Sequence, residues 1–345
     1  MTMQSTQNHG RAAGLALVLA ALSACATDRQ VIAQANEANA ELAPAIIQDQ
    51  SLAPYVQKIG ERIVAAAREA DQAHEGPKAH FDKKEDNAWM FTNGQFHLVN
   101  SKTLNAFTTG GEHMYVYSEL MQQCRSEDEL AAVMAHEFAH VYSRHVHKGM
   151  NRQYTILAAS AGAGLVGVAV GGKEHGQEYG QTALVSASAI GQVLNMGYTR
   201  EDEAEADKWG FYFYTHAGWD PDRFGDFFQQ LIDKGLDTTP EAMSDHPSLA
   251  SRVAAAKERA AKLPPEASSW RRPSVADSGN FSALKTRLAQ VGSTMRTSES
   301  LAAAQTLLSA VPSCVTPVDQ PDQKAAQQRL VRALEGQTPH QAAAR

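Results

Sequence analysis

His136-Glu137-Phe138-Ala139-His140 is the stretch on which the reading of this chain turns. Residues four apart on an α-helix lie on one face, one turn apart, so both imidazoles can reach one ion at about 2.0–2.1 Å. Glu137 sits beside them, placed to take a proton from a water that the ion activates. Just upstream, Ser126-Glu127-Asp128-Glu129 has the pattern of a helix start. Ser126 with Glu129 makes a capping box, and the acids suit the positive end of the helix dipole. The spacing of Leu130, Val133, Met134, Phe138 and Val141 predicts that this helix runs to about His147.

A catalytic zinc ion needs a third protein ligand and one open position. Glu203, in Glu203-Ala204-Glu205-Ala206-Asp207, is the best candidate. Asp207 is four residues on and faces the same way, so it can accept the outer N–H of a ligand imidazole, expected to be His136. Glu205 falls about 200° around the helix from Glu203 and Glu201 is likewise on the far side, so neither shares the role.

The chain has 345 residues, 43% of them hydrophobic, and a formal charge of −7. That is enough apolar material for a real core. It shows no clustered basic face, and Arg271-Arg272 is only a pair, so a nucleic-acid partner is excluded. Ala12 to Leu22 is an apolar run after Arg11, shorter than the roughly 20 residues of a spanning helix. It ends in Leu22-Ser23-Ala24-Cys25, which resembles the bacterial lipoprotein cleavage box. Residues 1–24 then read as a signal peptide, Cys25 as the acylated residue, and 25–50 as a tether. Ala26 after the cysteine fits the pattern sent to the outer membrane, which puts the body in the periplasm on a lipid anchor. Cys124 and Cys314 remain, either as one disulfide or as two separate thiols.

Leu52, Val56, Ile59, Ile63 and Val64 have helical spacing, and 71–86 reads as a loop around Gly76-Pro77. Gln95 to Val99 and His113 to Tyr117 are β-prone runs separated by Gly110-Gly111, which predicts a small antiparallel sheet. Residues 155–172 are small, apolar and Gly-rich. A single membrane span there would part His140 from Glu203, so a mobile or partly buried helix near the site is expected. Further helices are predicted over 200–216 and 222–236. Pro264-Pro265 marks the edge of the domain that starts at 51. Beyond it, 264–345 reads as a helical or partly disordered tail, with apolar positions at Leu284, Leu288, Val291, Leu301, Leu307 and Leu308.

Together these segments resemble the HtpX and CAAX-prenyl-protease family of gluzincin metallopeptidases, most of all its soluble, lipid-anchored periplasmic members. Asn105-Ala106-Phe107 with Gly110-Gly111 is similar to its strand-and-turn element, and Glu127 to His140 with Arg144-His145 to its metal helix. Arg200 to Asp207 is similar to its third-ligand helix. Ala217-Gly218-Trp219-Asp220-Pro221, then Asp245-His246-Pro247 with Arg252, are similar to its downstream blocks. Thr109 and Thr199 depart from the usual proline and serine. The likeness covers about residues 50 to 260.

The resemblance implies a mainly helical α+β fold, a gluzincin core with a small antiparallel sheet beside the metal helix. It implies one zinc ion per chain, held by His136, His140 and Glu203. It implies that Met114, Tyr115, Val116 and Tyr117 form a sheet edge onto which an extended substrate adds as a strand. His246 would face the metal, either steadying the oxyanion or filling the fourth position and holding the enzyme latent. Arg252 would pair with a site carboxylate. The implied activity is endopeptidase cleavage of misfolded or stalled envelope proteins, with unfolded or extended chains as substrates and the envelope assembly machinery as a partner. The alternative is a periplasmic chaperone or assembly factor with little protease activity.

Overall fold

Apolar stripes at helical spacing make the scaffold. In the computed structural model, residues 27–76, 87–152, 198–236, 247–276 and 280–313 are described. Helix α1 (Asp28–Leu42) buries Val31, Ala35, Ala38 and Leu42, and helix α2 (Leu52–Gln72) buries Leu52, Val56, Ile59, Ile63 and Val64. Each large aliphatic side chain so removed from water contributes about 1.5–3 kcal/mol. After a short helix α3 (Ala88–Thr92) come strands β1 (Gln95–Val99), β2 (Ala106–Thr108) and β3 (His113–Tyr117). Helices α4 (Ser118–Gln123), α5 (Glu127–Tyr142), α6 (Arg200–His216), α7 (Asp226–Asp233) and α8 (Leu249–Ala261) follow. Helices α9 (Asn280–Thr294) and α10 (Glu299–Ala310) complete the described chain. The fold is mainly helical with one small sheet.

The sheet is mixed, not wholly antiparallel. Its strand order is β1-β3-β2. β2 and β3 pair antiparallel around the glycine turn, but β1 and β3 pair parallel, Gln95 opposite His113 through Val99 opposite Tyr117. β3 thus lies in the middle, and the expectation that Met114, Tyr115, Val116 and Tyr117 form a sheet edge is corrected. The reason is in the residues. β3 is apolar or aromatic at nearly every position and all five of its residues are buried, the pattern of a strand covered on both faces and paired on both sides. The outer side of β1 is met by the segment before α2, where Ile47 N donates to Leu98 O at 2.8 Å.

Described parts of the two stretches read as a tether and a tail pack on the body. α1 is bolted to β3: Asn36 Oδ1 lies 2.8 Å from His113 Nε2, and Tyr115 Oη donates to Asn39 Oδ1 at 2.9 Å. At its start Asp28 binds the guanidinium of Arg144, His147 Nε2 at 2.8 Å and Trp89 Nε1 at 3.2 Å. Polar residues between its buried positions hide this face from a reading of composition. Residues beyond Pro264 also contribute to the core. Leu284, Leu288, Leu301, Ala304 and Leu308 join the main core, and Tyr117 Oη donates to Leu308 O at 2.8 Å. Cys124 is a buried free thiol. Cys25, the 155–172 segment and Cys314 lie outside the described residues. Among the described residues, no helix is long and apolar enough to cross a membrane.

Candidate metal centre

α5 is buried on nearly every side, as the helix that carries the site must be to exclude water. Its cap is half of the expected box. Ser126 Oγ accepts from Glu129 N at 3.4 Å, but the Glu129 carboxylate accepts from Arg125 N at 2.6 Å instead of from Ser126. The helix stops at Tyr142, short of His147. Arg144 takes the left-handed conformation, φ 55°, and a new helical stretch occupies 145–152. That backbone costs a non-glycine residue about 1–2 kcal/mol. The Arg144 side chain, held by Asp28 and by Asn87 Oδ1 at 2.8 Å, offsets it.

α6 starts at a full capping box, with Thr199 and Asp202 bonding each other's backbone. It lies unusually close to α5 because Gly210 faces His136. A Cβ there would stand 2.9 Å from both Cα and N of His136. This close approach brings Glu203 to the two imidazoles. His136 Nε2 and His140 Nε2 are 3.0 Å apart, with Glu203 Oε2 3.4 Å from the first and Oε1 3.7 Å from the second. One nitrogen from each histidine and one carboxylate oxygen all lie within 4.8 Å of one another. Two imidazoles and a carboxylate converging on one point are a donor set for zinc. Glu137 is fully buried, and neither carboxylate oxygen has a hydrogen-bond partner. A buried carboxylate is not left so without a reason, and a water held by an ion at this point supplies one. The residues present fit the metal.

Around the triad the charges are matched. His136 Nδ1 lies 2.9 Å from Asp207 Oδ1, and Arg252 grips Asp207 with Nη2 at 2.6 Å and Nε at 2.9 Å. Burial and Arg252 both disfavour a charged His136, yet Asp207 and Glu203 prevail and raise its pKa to about 9. Burial pushes Glu137 up to about 8, with the charge of Glu203 adding to it. Burial also resists ionisation of Asp207, but Arg252 and His136 hold it down to about 2. Burial, the first cause, and the neighbouring cations keep His140 neutral, well below its ordinary value.

Three residues here were not read from the sequence as part of the site. Tyr198 stacks on His140 with ring centroids 3.8 Å apart. His145 Nδ1 lies 2.9 Å from His140 Nδ1, and His145 Nε2 lies 3.1 Å from Glu205 Oε2. Glu205, which helical periodicity turns away from Glu203, meets His145 on that opposite face. His246 lies outside the described residues.

The profile of peptidase family M48 matches residues 50–260. The chain is 31% identical over 227 residues to a putative beta-barrel assembly-enhancing protease of Vibrio cholerae, covering 64% of this chain and 41% of that protein. It is 29% identical over 222 residues to the beta-barrel assembly-enhancing protease of Escherichia coli, with the same coverage of 64% and 41%. It is 28% identical over 179 residues to the metalloprotease LoiP of Escherichia coli, covering 48% of this chain and 64% of that one. The chain thus spans about two fifths of the length of the first two relatives.

Proposed function

Because this chain belongs to peptidase family M48, as the match over residues 50–260 establishes, we propose that it is a zinc-dependent endopeptidase of the cell envelope. The observation that carries this is the convergence of His136, His140 and Glu203 beside the unpartnered carboxylate of Glu137. When bound, zinc supplies a Lewis acid and lowers the pKa of water towards about 7. Asp207 accepts a hydrogen bond from Nδ1–H of His136, which fixes the tautomer that aims Nε2 inward, and Arg252 keeps Asp207 in place. Glu137 removes the proton of the attacking water and passes it to the leaving amine, a task suited to a carboxylate whose pKa burial has raised. His246 is proposed as the oxyanion donor or as the plug of a latent form.

Latency has support in the site itself. His136, Glu137, His140 and Glu203 are each no more than 1% exposed, so a peptide has no direct way to them. Strand addition by substrate moves from β3 to the outer side of β2, the strand that packs on α5. Ala106, Phe107 and Thr108 are buried too, so this edge is also closed.

The proposed anchor on Cys25 and a periplasmic place at the outer membrane rest on the lipoprotein-like box at Leu22-Ser23-Ala24-Cys25. Misfolded or stalled envelope proteins are the proposed substrates. Purified chain should hold one zinc and cleave casein in a chelator-sensitive manner, and Glu137→Gln should keep the zinc and lose the cleavage. Retained cleavage in that variant sinks the mechanism. The relatives' names join a protease to β-barrel assembly, which favours a second reading as an assembly factor. That reading predicts that Glu137→Gln still supports assembly of outer-membrane barrels in cells.

A further inference from the structure

We propose that His145 and Glu205 form a hydrogen-bonded support that orients and polarises the metal ligand His140; this rests on the zinc reading above. His140 turns Nε2 towards His136 and Glu203, so Nε2 is its ligand atom. A neutral imidazole that gives Nε2 to a metal carries its hydrogen on Nδ1. Among the described residues, the acceptor that hydrogen meets is His145 Nδ1 at 2.9 Å. His145 must then carry its own hydrogen on Nε2, which faces Glu205 Oε2 at 3.1 Å and Asp202 Oδ1 at 3.7 Å. Lys148 Nζ completes the line at 3.0 Å from Glu205. Every nitrogen in the chain has its role fixed by the next group, and His145 is fully buried with both of its nitrogens engaged.

The break at Arg144 makes this possible. On an unbroken helix residues five apart sit about 140° apart, and His145 would point away from His140. The left-handed turn at Arg144 swings the chain so that His145 returns beneath the ligand ring. The two ligand imidazoles are therefore backed differently. His136 meets a buried carboxylate directly. Behind its ring, on the Nδ1 side, His140 meets a carboxylate through a second imidazole, and that carboxylate, Glu205, keeps 29% of its side-chain surface exposed.

The experiment uses the full chain loaded with zinc, with affinity measured by chelator competition. Glu205→Gln keeps the shape and removes the charge, so the affinity should fall about tenfold, and His145→Phe should lower it about 10–100-fold. His145→Asn keeps an acceptor for the His140 hydrogen and should recover part of the loss. Glu201→Gln, an exposed change on the same helix, should leave the affinity unchanged. The cobalt-substituted Glu205→Gln chain should also show shifted visible bands, which a merely structural residue would not move. Parent affinity together with a parent cobalt spectrum in Glu205→Gln overturns the support and leaves the zinc reading standing. A parent chain that binds no zinc overturns both.

Discussion

Gly210→Ala tests the helix contact that assembles the centre. Its Cβ would stand 2.9 Å from Cα and N of His136 and 3.2 Å from the carbonyl carbon of Ala135. Carbon contacts settle at about 3.5–4.0 Å, so the overlap is about 0.6–1 Å against backbone, which cannot swing aside. Overpacking of this kind costs about 1–3 kcal/mol, here near the top of the range. Alanine recovers about 1 kcal/mol through helix propensity, which leaves a net loss of about 1–2 kcal/mol. The larger effect falls on the metal. Glu203 is two turns along α6, about 10 Å from the point of overlap, and any parting of α5 from α6 draws it off the imidazoles. Metal sites tolerate about 0.2 Å in ligand distance, so zinc affinity should drop at least about tenfold. Thermal unfolding of the metal-free chain and chelator competition read the two effects separately. An alanine variant with parent melting temperature and parent zinc affinity would refute the claim that this approach sets the site.

Zinc affinity should rise with pH up to about 9, because the metal must displace the proton that Asp207 and Glu203 hold on His136 against burial and Arg252; competition titrations from pH 6 to 9 that show a flat affinity contradict this. Glu127→Ala should destabilise the fold by at least about 4 kcal/mol, since about 1–3 kcal/mol attends each of the four donors left unsatisfied. Its buried carboxylate accepts from Trp219 Nε1 at 2.9 Å, Val275 N at 2.7 Å, Ala276 N at 2.6 Å and Tyr55 Oη at 3.2 Å. Denaturant unfolding checks it. Asp28→Asn should free α1 from the core, seen as faster proteolysis within 28–42. Burial opposes the Asp28 charge, but His147 and Arg144 hold its carboxyl below the usual range. Its stabilisation is therefore full above the unfolded pKa, about 3.9, and fades as pH falls below that. Parent and variant should differ at pH 7 and converge in strong acid.

Short-range geometry made the ligand helices legible. The four-residue spacing of His136 and His140, and of Glu203 and Asp207, follows from the pitch of a helix, and the cap of the first helix is written in Ser126. α6 occupies the residues that its pattern predicts, from Arg200 to His216. The apolar positions of α2, α9 and α10 were equally readable. What those faces pack against was not, because a stripe says only that a partner exists. Tertiary structure alone decided that β3 is the central strand, that α1 and α10 close over the core, and that Gly210 lets two helices touch. It also decided that His145 turns back to His140, since that depends on one left-handed residue whose cost is offset by Asp28, 116 positions away. Local pitch fixes which side chains share a face; which faces meet is settled by long-range packing that no spacing records.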